Sequence, residues 1–170
     1  MKFKDKVEET EFLDRSNRIE GVYDEDSLTQ AEYAWDFLKR QKKLTIGIIL
    51  KVHKILMLHQ NLLPSDKGYF RKVMVYVGNR PTLNALHIEE HLKQWVVNVN
   101  DMVDNWKESE IFKERICKEH HIAYEKIHPF IDGNGRTGRM FMNWERLKID
   151  LPLLVIHEGE EQIAYYKWFC

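Results

Sequence analysis

The chain has 170 residues, enough for one domain with a real core. Apolar residues make up 44% and charged residues 31%, an ordinary balance for a globular protein. Lys and Arg number 26 against 27 Asp and Glu, so nothing global argues for a nucleic-acid or membrane surface.

The N-terminal MKFKDKVEET has no apolar h-region and does not read as a signal peptide. After Asp26 and Ser27, a good cap, Leu28, Ala31, Trp35 and Leu38 recur at helix spacing. Thr45 can cap a second helix with Ile46, Ile49, Leu50, His53, Leu56 and Met57 on one face; His53 and His59 read as structural. Its LTIGIIL run is far too short to cross a bilayer, and the helix must end before Pro64, with PSDKG as a loop. Then the period changes: Val73, Val75 and Val77 alternate with Lys72, Met74 and Tyr76, which reads as a strand. GNRP, Gly78 to Pro81, reads as its turn, and the strand needs a partner, so a small hairpin is expected.

Helical spacing returns with Ile88, Leu92, Trp95, Val96, Val99, Val103 and Trp106, and again with Ile116, His120, Ala123, Tyr124 and Ile127. The latter helix should stop near His128, because Pro129 disfavours helical backbone in the residue before it. Met140, Phe141, Trp144 and Leu147 mark another helix beginning near Gly135–Arg136. LPLLVI is too short to classify, and Glu160 to Trp168 reads as a last helix. The chain stops at Cys170 just after aromatic residues that ought to be packed, as a fragment or a short last helix would. Cys117 and Cys170 make no disulfide framework and no metal spacing, so they read as two reduced thiols in a cytoplasmic protein.

The stretch HPFIDGNGRTGR, His128 to Arg139, fits no regular structure. A helix N-terminus presents unpaired N–H groups and partial positive charge, and glycines let a ligand approach them. Arg136 and Arg139 are three apart and share a helix face, and guanidinium forks suit phosphate oxygens. Asp132 offers a hard oxygen ligand and His128 a neutral-pH base. From turn chemistry alone, a helix cap with surface salt bridges is an equal reading. The fixed order of base, metal ligand, nest and paired arginines is more specific.

HPFIDGNGRTGR resembles the Fic motif, His-x-Phe-x-Asp/Glu-Gly-Asn-Gly-Arg-x-x-Arg, at every defined position. GYFRKVMVYVG, from Gly68, resembles the family's Gly-x-x-Arg segment leading into a β-hairpin flap, and RMFMNWERLKIDLP and the Tyr165–Tyr166 pair look like the family too. The resemblance covers about residues 45–170, leaving 1–44 as an N-terminal helical region of one compact domain. It implies an all-α Fic (Fido) core with one hairpin.

The activity it implies is transfer of AMP from ATP to a Ser, Thr or Tyr hydroxyl of a target protein, with pyrophosphate released. Carried over, His128 is the general base and Asp132 holds Mg²⁺. Gly133, Asn134 and Gly135 form the anion hole, with the Asn134 side chain at the α-phosphate; Arg136 and Arg139 grip the outer phosphates. Phe130 points into the core. Val77, Gly78 and Asn79 lie where the flap meets nucleotide and target, and an extended target segment adds there as a strand. Tyr165 and Tyr166 match positions near the nucleotide, although plain core packing explains them equally; family members often supply a further adenine contact just past the matching position. Self-modification and a homo-oligomer are also implied. A helix C-terminus favours imidazolium whereas a base must be neutral, so the charge of His128 stays open.

SNRIEG, Ser16 to Gly21, is similar to the family's inhibitory motif, Ser/Thr-x-x-x-Glu-Gly/Asn. It implies a helix that sets Glu20 against Arg139, occupying the fork a γ-phosphate needs. Surface helix caps often carry the same spacing. Two other classes of function stay in play. Doc-type relatives act as kinases with the nucleotide inverted and carry Lys where this chain has Gly135; a non-catalytic toxin–antitoxin module would not need His128. His120, His121, Glu125 and His128 are a weaker zinc alternative, since nothing supplies a fourth ligand once His128 is the base.

Overall fold

The helical periods become helices where caps and breakers set their ends. The computed structural model describes residues 3–107 and 109–170. Among these described residues seven helices run in order: α1 Phe3–Arg18, α2 Glu25–Leu38, α3 Ile46–Leu56, α4 Ile88–Asn105, α5 Glu110–Ile127, α6 Asn134–Lys148 and α7 Glu160–Tyr166. One two-stranded antiparallel hairpin, β1 Tyr76–Val77 and β2 Arg80–Pro81, interrupts them between α3 and α4. The fold is all-α with a small hairpin, as expected.

Thr45 caps α3 by accepting the Ile48 N–H, and Ile49, Val52, His53 and Leu56 form its buried face. For α2 the cap is Asp24 rather than Asp26 and Ser27: its carboxylate accepts both the backbone N–H and the hydroxyl of Ser27. A cap needs extended backbone, which Asp24 has at φ −80° and ψ 150°. The strand expected over 72–77 shrinks to two residues, and half of the GNRP turn becomes its partner strand. Val73 and Val77 are exposed together with Met74 and Tyr76, so the alternation faces no core on either side. Trp106 falls just outside α4, and Leu147 is exposed on α6. Residues 151–156 form no regular element, and α7 is followed by a short 3₁₀ turn, Lys167–Phe169.

The centre of the molecule is α6, whose residues Arg136 to Arg146 are all buried. It packs against α5, α1, α3 and α4. Phe12 and Leu13 of α1, Trp35 of α2, Val52 of α3, Trp95 of α4, Tyr124 of α5 and Phe141 and Trp144 of α6 join one apolar core. Two buried charged groups near the C-terminal end of α6 are paired. Arg146 forks onto Glu114 at 2.7 and 2.9 Å, and Glu145 meets His120 at 2.7 Å. Among the described residues, no helix is long and apolar enough to cross a membrane.

Candidate active site

The turn from His128 to Gly133 joins the end of α5 to the start of α6. His128 is the C-cap of α5 in left-handed backbone, φ 49° and ψ 63°, and Pro129 follows. Two side chains hold this turn from outside. Arg71, buried just before the hairpin, donates Nε–H to the His128 carbonyl at 2.7 Å and further N–H groups to the carbonyls of Val73, Leu83 and Ile127. Its own backbone N–H reaches the Pro129 carbonyl at 3.0 Å. Arg71 thus ties the end of α5 to the base of the flap. His53 stacks flat on Phe130 at 3.7 Å and places Nε2 2.9 Å from the Asp132 carbonyl. Its Nδ1 accepts the Gly68 N–H, so the ring is neutral with the proton on Nε2, and burial pushes its pKa down to about 4. Phe130 is fully buried, as expected.

The Asn134 side chain is not aimed at a ligand. Its amide accepts the Phe130 N–H and donates to the Phe130 carbonyl, both at 2.9 Å, closing the turn from within. A buried amide spent in this way leaves Asn134 its backbone N–H as the group for an anion. Gly133 is the N-cap of α6, and the first helical bond runs from the Thr137 N–H to the Gly133 carbonyl. The N–H groups of Asn134, Gly135 and Arg136 precede it and face out of the helix end.

Beside them Arg136 is 3% exposed, with Nη2 against the Met57 sulfur at 3.4 Å and 3.8 Å from Asp132 Oδ2. Among the described residues its Nη1 has no hydrogen-bond partner. A buried guanidinium with an idle N–H beside a helix N-terminus is a built anion site. Asp132 accepts the Gly133 N–H at 2.6 Å, and its other oxygen lies on a side chain that is 57% exposed. One accessible carboxylate beside an anion site suits a magnesium ion, which takes one or two carboxylates and completes its shell with phosphate oxygens and water.

Arg139 lies one turn further along α6 and is fully engaged. It donates Nε–H to the Ser16 hydroxyl at 2.9 Å, Nη2–H to the Ser16 carbonyl at 2.9 Å and to Glu20 Oε1 at 2.8 Å, and Nη1–H to the Tyr165 hydroxyl at 3.2 Å. Burial disfavours its charge, but Tyr165 and Glu20 together hold its pKa above the ordinary arginine value. Glu20 lies not on α1 but in the turn that ends it, which Gly21 closes at φ 72°. Its carboxylate covers Gly135 so closely that a Cβ there would collide with it. A carboxylate therefore already occupies the mouth of the anion site.

His128 lies at the rim, and the question of its charge has an answer. Burial pushes it below the ordinary histidine value and Arg71 acts in the same direction, while the Glu125 carbonyl, Glu20 and Asp132 pull back. Burial outweighs the helix end, so the imidazole is neutral at neutral pH, as a base requires. Tyr165 is buried between Arg139 and His121, bonded to both, and Tyr166 donates to the Ile19 carbonyl at 2.9 Å. Val77 is half-exposed and Gly78 and Asn79 are exposed at the hairpin tip. His120 and His121 are engaged by Glu145 and Tyr165, and among the described residues no cluster of His, Cys, Asp and Glu has a metal-binding arrangement. The sequence marked Arg71 only through the Gly-x-x-Arg segment and His53 only as a structural histidine on an apolar helix face; neither signal disclosed the bonds each makes to this turn.

Comparison with known proteins places these features together. A protein adenylyltransferase Fic from Aedes aegypti is 30% identical over 129 residues, covering 74% of this chain and 24% of its own length. The chain thus spans about a quarter of the curated relatives it matches. Among solved structures, a Fic domain containing signaling protein from Bacteroides thetaiotaomicron superposes with a TM-score of 0.78 at 17% identity, covering 96% of this chain and 70% of that one. A Fic-1 fragment from C. elegans superposes with a TM-score of 0.73 at 21% identity, over 93% and 53% of the two chains. The model of the Fic/DOC family matches residues 43–145, which take in α3, the hairpin, α4, α5 and the whole turn up to Arg139. Hairpin, helical core and turn fall under that one match, and the chain belongs to the Fic/DOC family.

Proposed function

We propose that this chain transfers AMP from ATP to a hydroxyl of a target protein, and that Glu20 restrains it. The observation that carries this reading is a neutral, part-buried imidazole at the rim of an anion site built from the α6 N-terminus and Arg136. Naming of curated relatives as protein adenylyltransferases supports the same reaction.

In the proposed step the target Ser, Thr or Tyr oxygen attacks the α-phosphorus as its proton passes to His128 Nε2. The bond from the α-phosphorus to the bridging oxygen breaks, and pyrophosphate leaves with that electron pair. The N–H groups of Asn134, Gly135 and Arg136 and the guanidinium of Arg136 stabilise phosphate charge from fixed positions. Asp132 would hold Mg²⁺, which when bound neutralises the phosphates. Arg139 would take the outer phosphate once Glu20 gives it up. The exposed edge at Val77, Gly78 and Asn79 suits an extended target segment, with the chain itself as one candidate target.

The test is label transfer from Mg-ATP to protein. With α-³²P-ATP, wild type should label and His128→Ala should not, while the mutant still binds ATP. Labelling from γ-³²P-ATP alone would mark a Doc-type kinase. Undiminished labelling by His128→Ala would overturn the assignment of the base.

A further inference from the structure

The proposed step leaves unused a part-buried acid beside the base. Glu125 stands on the last turn of α5, flanked by buried Tyr124 and Ile127, with its side chain turned inward. Its Oε1 rests against the backbone of α6 at Gly138, where an added Cβ would come within 2.5 Å of it. Any larger residue at 138 would evict the carboxyl, so the fold reserves this space for it. Its Oε2 lies 3.9 Å from His128 Nδ1. Among the described residues, neither Glu125 Oε1 nor His128 Nδ1 has a hydrogen-bond partner. An orphaned buried group costs about 1–3 kcal/mol, and a bond from the Oε2 side of this carboxyl relieves the ring nitrogen.

We propose that Glu125 is a positioning residue for His128: its carboxyl accepts the Nδ1–H, fixing the tautomer whose Nε2 lone pair is free. The inference rests on His128 being the base of the proposed reaction. A ring that gains a proton at Nε2 carries N–H on both nitrogens, and a carboxyl behind Nδ1 then becomes its counter-ion. Burial pushes Glu125 up to about 7, and the nearby Glu20 carboxylate acts in the same direction, so near neutral pH its carboxyl is shared between the neutral and ionised forms. Arg139 draws it the other way. Arg71, Glu20 and Asp132 are the other charges facing His128. A rival acceptor comes from the same residue: the Glu125 carbonyl faces the ring and has no helical N–H to bond, because residue 129 is proline. Side-chain replacement separates the two, since it leaves the carbonyl in place.

The experiment reads the His128 imidazole nitrogens by ¹⁵N NMR, assigned by loss of the signal in His128→Ala. Wild type should show the Nδ1–H tautomer, Glu125→Leu should shift it toward Nε2–H, and Glu125→Gln, which keeps an acceptor, should preserve it. AMP transfer by Glu125→Leu should fall about 10- to 100-fold in kcat with KM for Mg-ATP unchanged, and Glu125→Gln should recover most of the loss. An Nε2–H tautomer in wild type overturns the proposal outright, and a wild-type tautomer in Glu125→Leu overturns it and leaves the carbonyl as sole acceptor. If Glu125→Leu does not fold, Glu125→Asp, which withdraws the acceptor, is read by the same criterion. Absence of AMP transfer from wild type would refute the transferase reading, whereas the tautomer would still decide the role of Glu125.

Discussion

Replacing Glu20 with glycine should raise AMP transfer about ten- to thirtyfold, a figure that follows from the contact it removes. The Glu20 carboxylate makes a charge-assisted bond of 2.8 Å to Arg139, a guanidinium that is 2% exposed. Such bonds contribute about 1.5–3 kcal/mol. The Glu20 side chain is 34% exposed, so solvent screening favours the lower half of that range, about 1.5–2 kcal/mol. If ATP must displace the carboxylate to bind productively, the competent fraction of wild type is reduced by about 12- to 30-fold. Because Glu20 lies in the turn after α1, glycine there costs no helix propensity. Arg139 keeps its bonds to Ser16 and Tyr165, so its burial remains compensated. The assay is incorporation of label from α-³²P-ATP into the chain itself and into a cell lysate. Equal rates for wild type and Glu20→Gly, with His128→Ala inactive, would refute the competition argument.

Gly135→Ala places a methyl against the Glu20 carboxylate and should destabilise the protein; in the Glu20→Gly background the cost should shrink, with a coupling of about 1 kcal/mol in a denaturation cycle. Additive losses would mean that the two residues do not share the site. His53 predicts a pH dependence of stability. Unfolded, the imidazole takes its proton near 6.5; folded, it takes it only near 4. Its contribution is therefore complete above pH 6.5 and is lost as pH falls towards 4, about 3 kcal/mol in all. Urea denaturation across that window should show a shallower pH slope for His53→Gln than for wild type, and identical slopes would refute it.

The sequence carried the local part of this molecule well. Thr45, the apolar face of α3 and the Pro129 stop are written in neighbouring residues, and the structure follows them. The hairpin strand was over-read because alternating valines signal a strand only when one face is covered, and here Val73 and Val77 both meet solvent. The stretch from His128 to Arg139 was legible as an anion site through the fixed order of base, carboxylate, glycines and paired arginines, although turn chemistry alone fitted a helix cap with surface salt bridges equally well. What it could not disclose was where Asn134 spends its amide, since that bond goes to a buried backbone only four residues away. The long-range partners were equally hidden: Arg71 reaches carbonyls of α5 some 56 residues on, and Ser16 meets Arg139 across 123.

The way Arg139 divides its bonds determines how the molecule could switch. Two of its four donations go to Ser16, one of them to main chain, and these fasten α1 independently of Glu20. A nucleotide that wins the fork therefore has no helix to dislodge. It needs one partly exposed carboxylate to swing aside, a movement of the kind side chains complete in nanoseconds or less. Restraint and release would then differ by a single rotamer, with the scaffold unchanged between them.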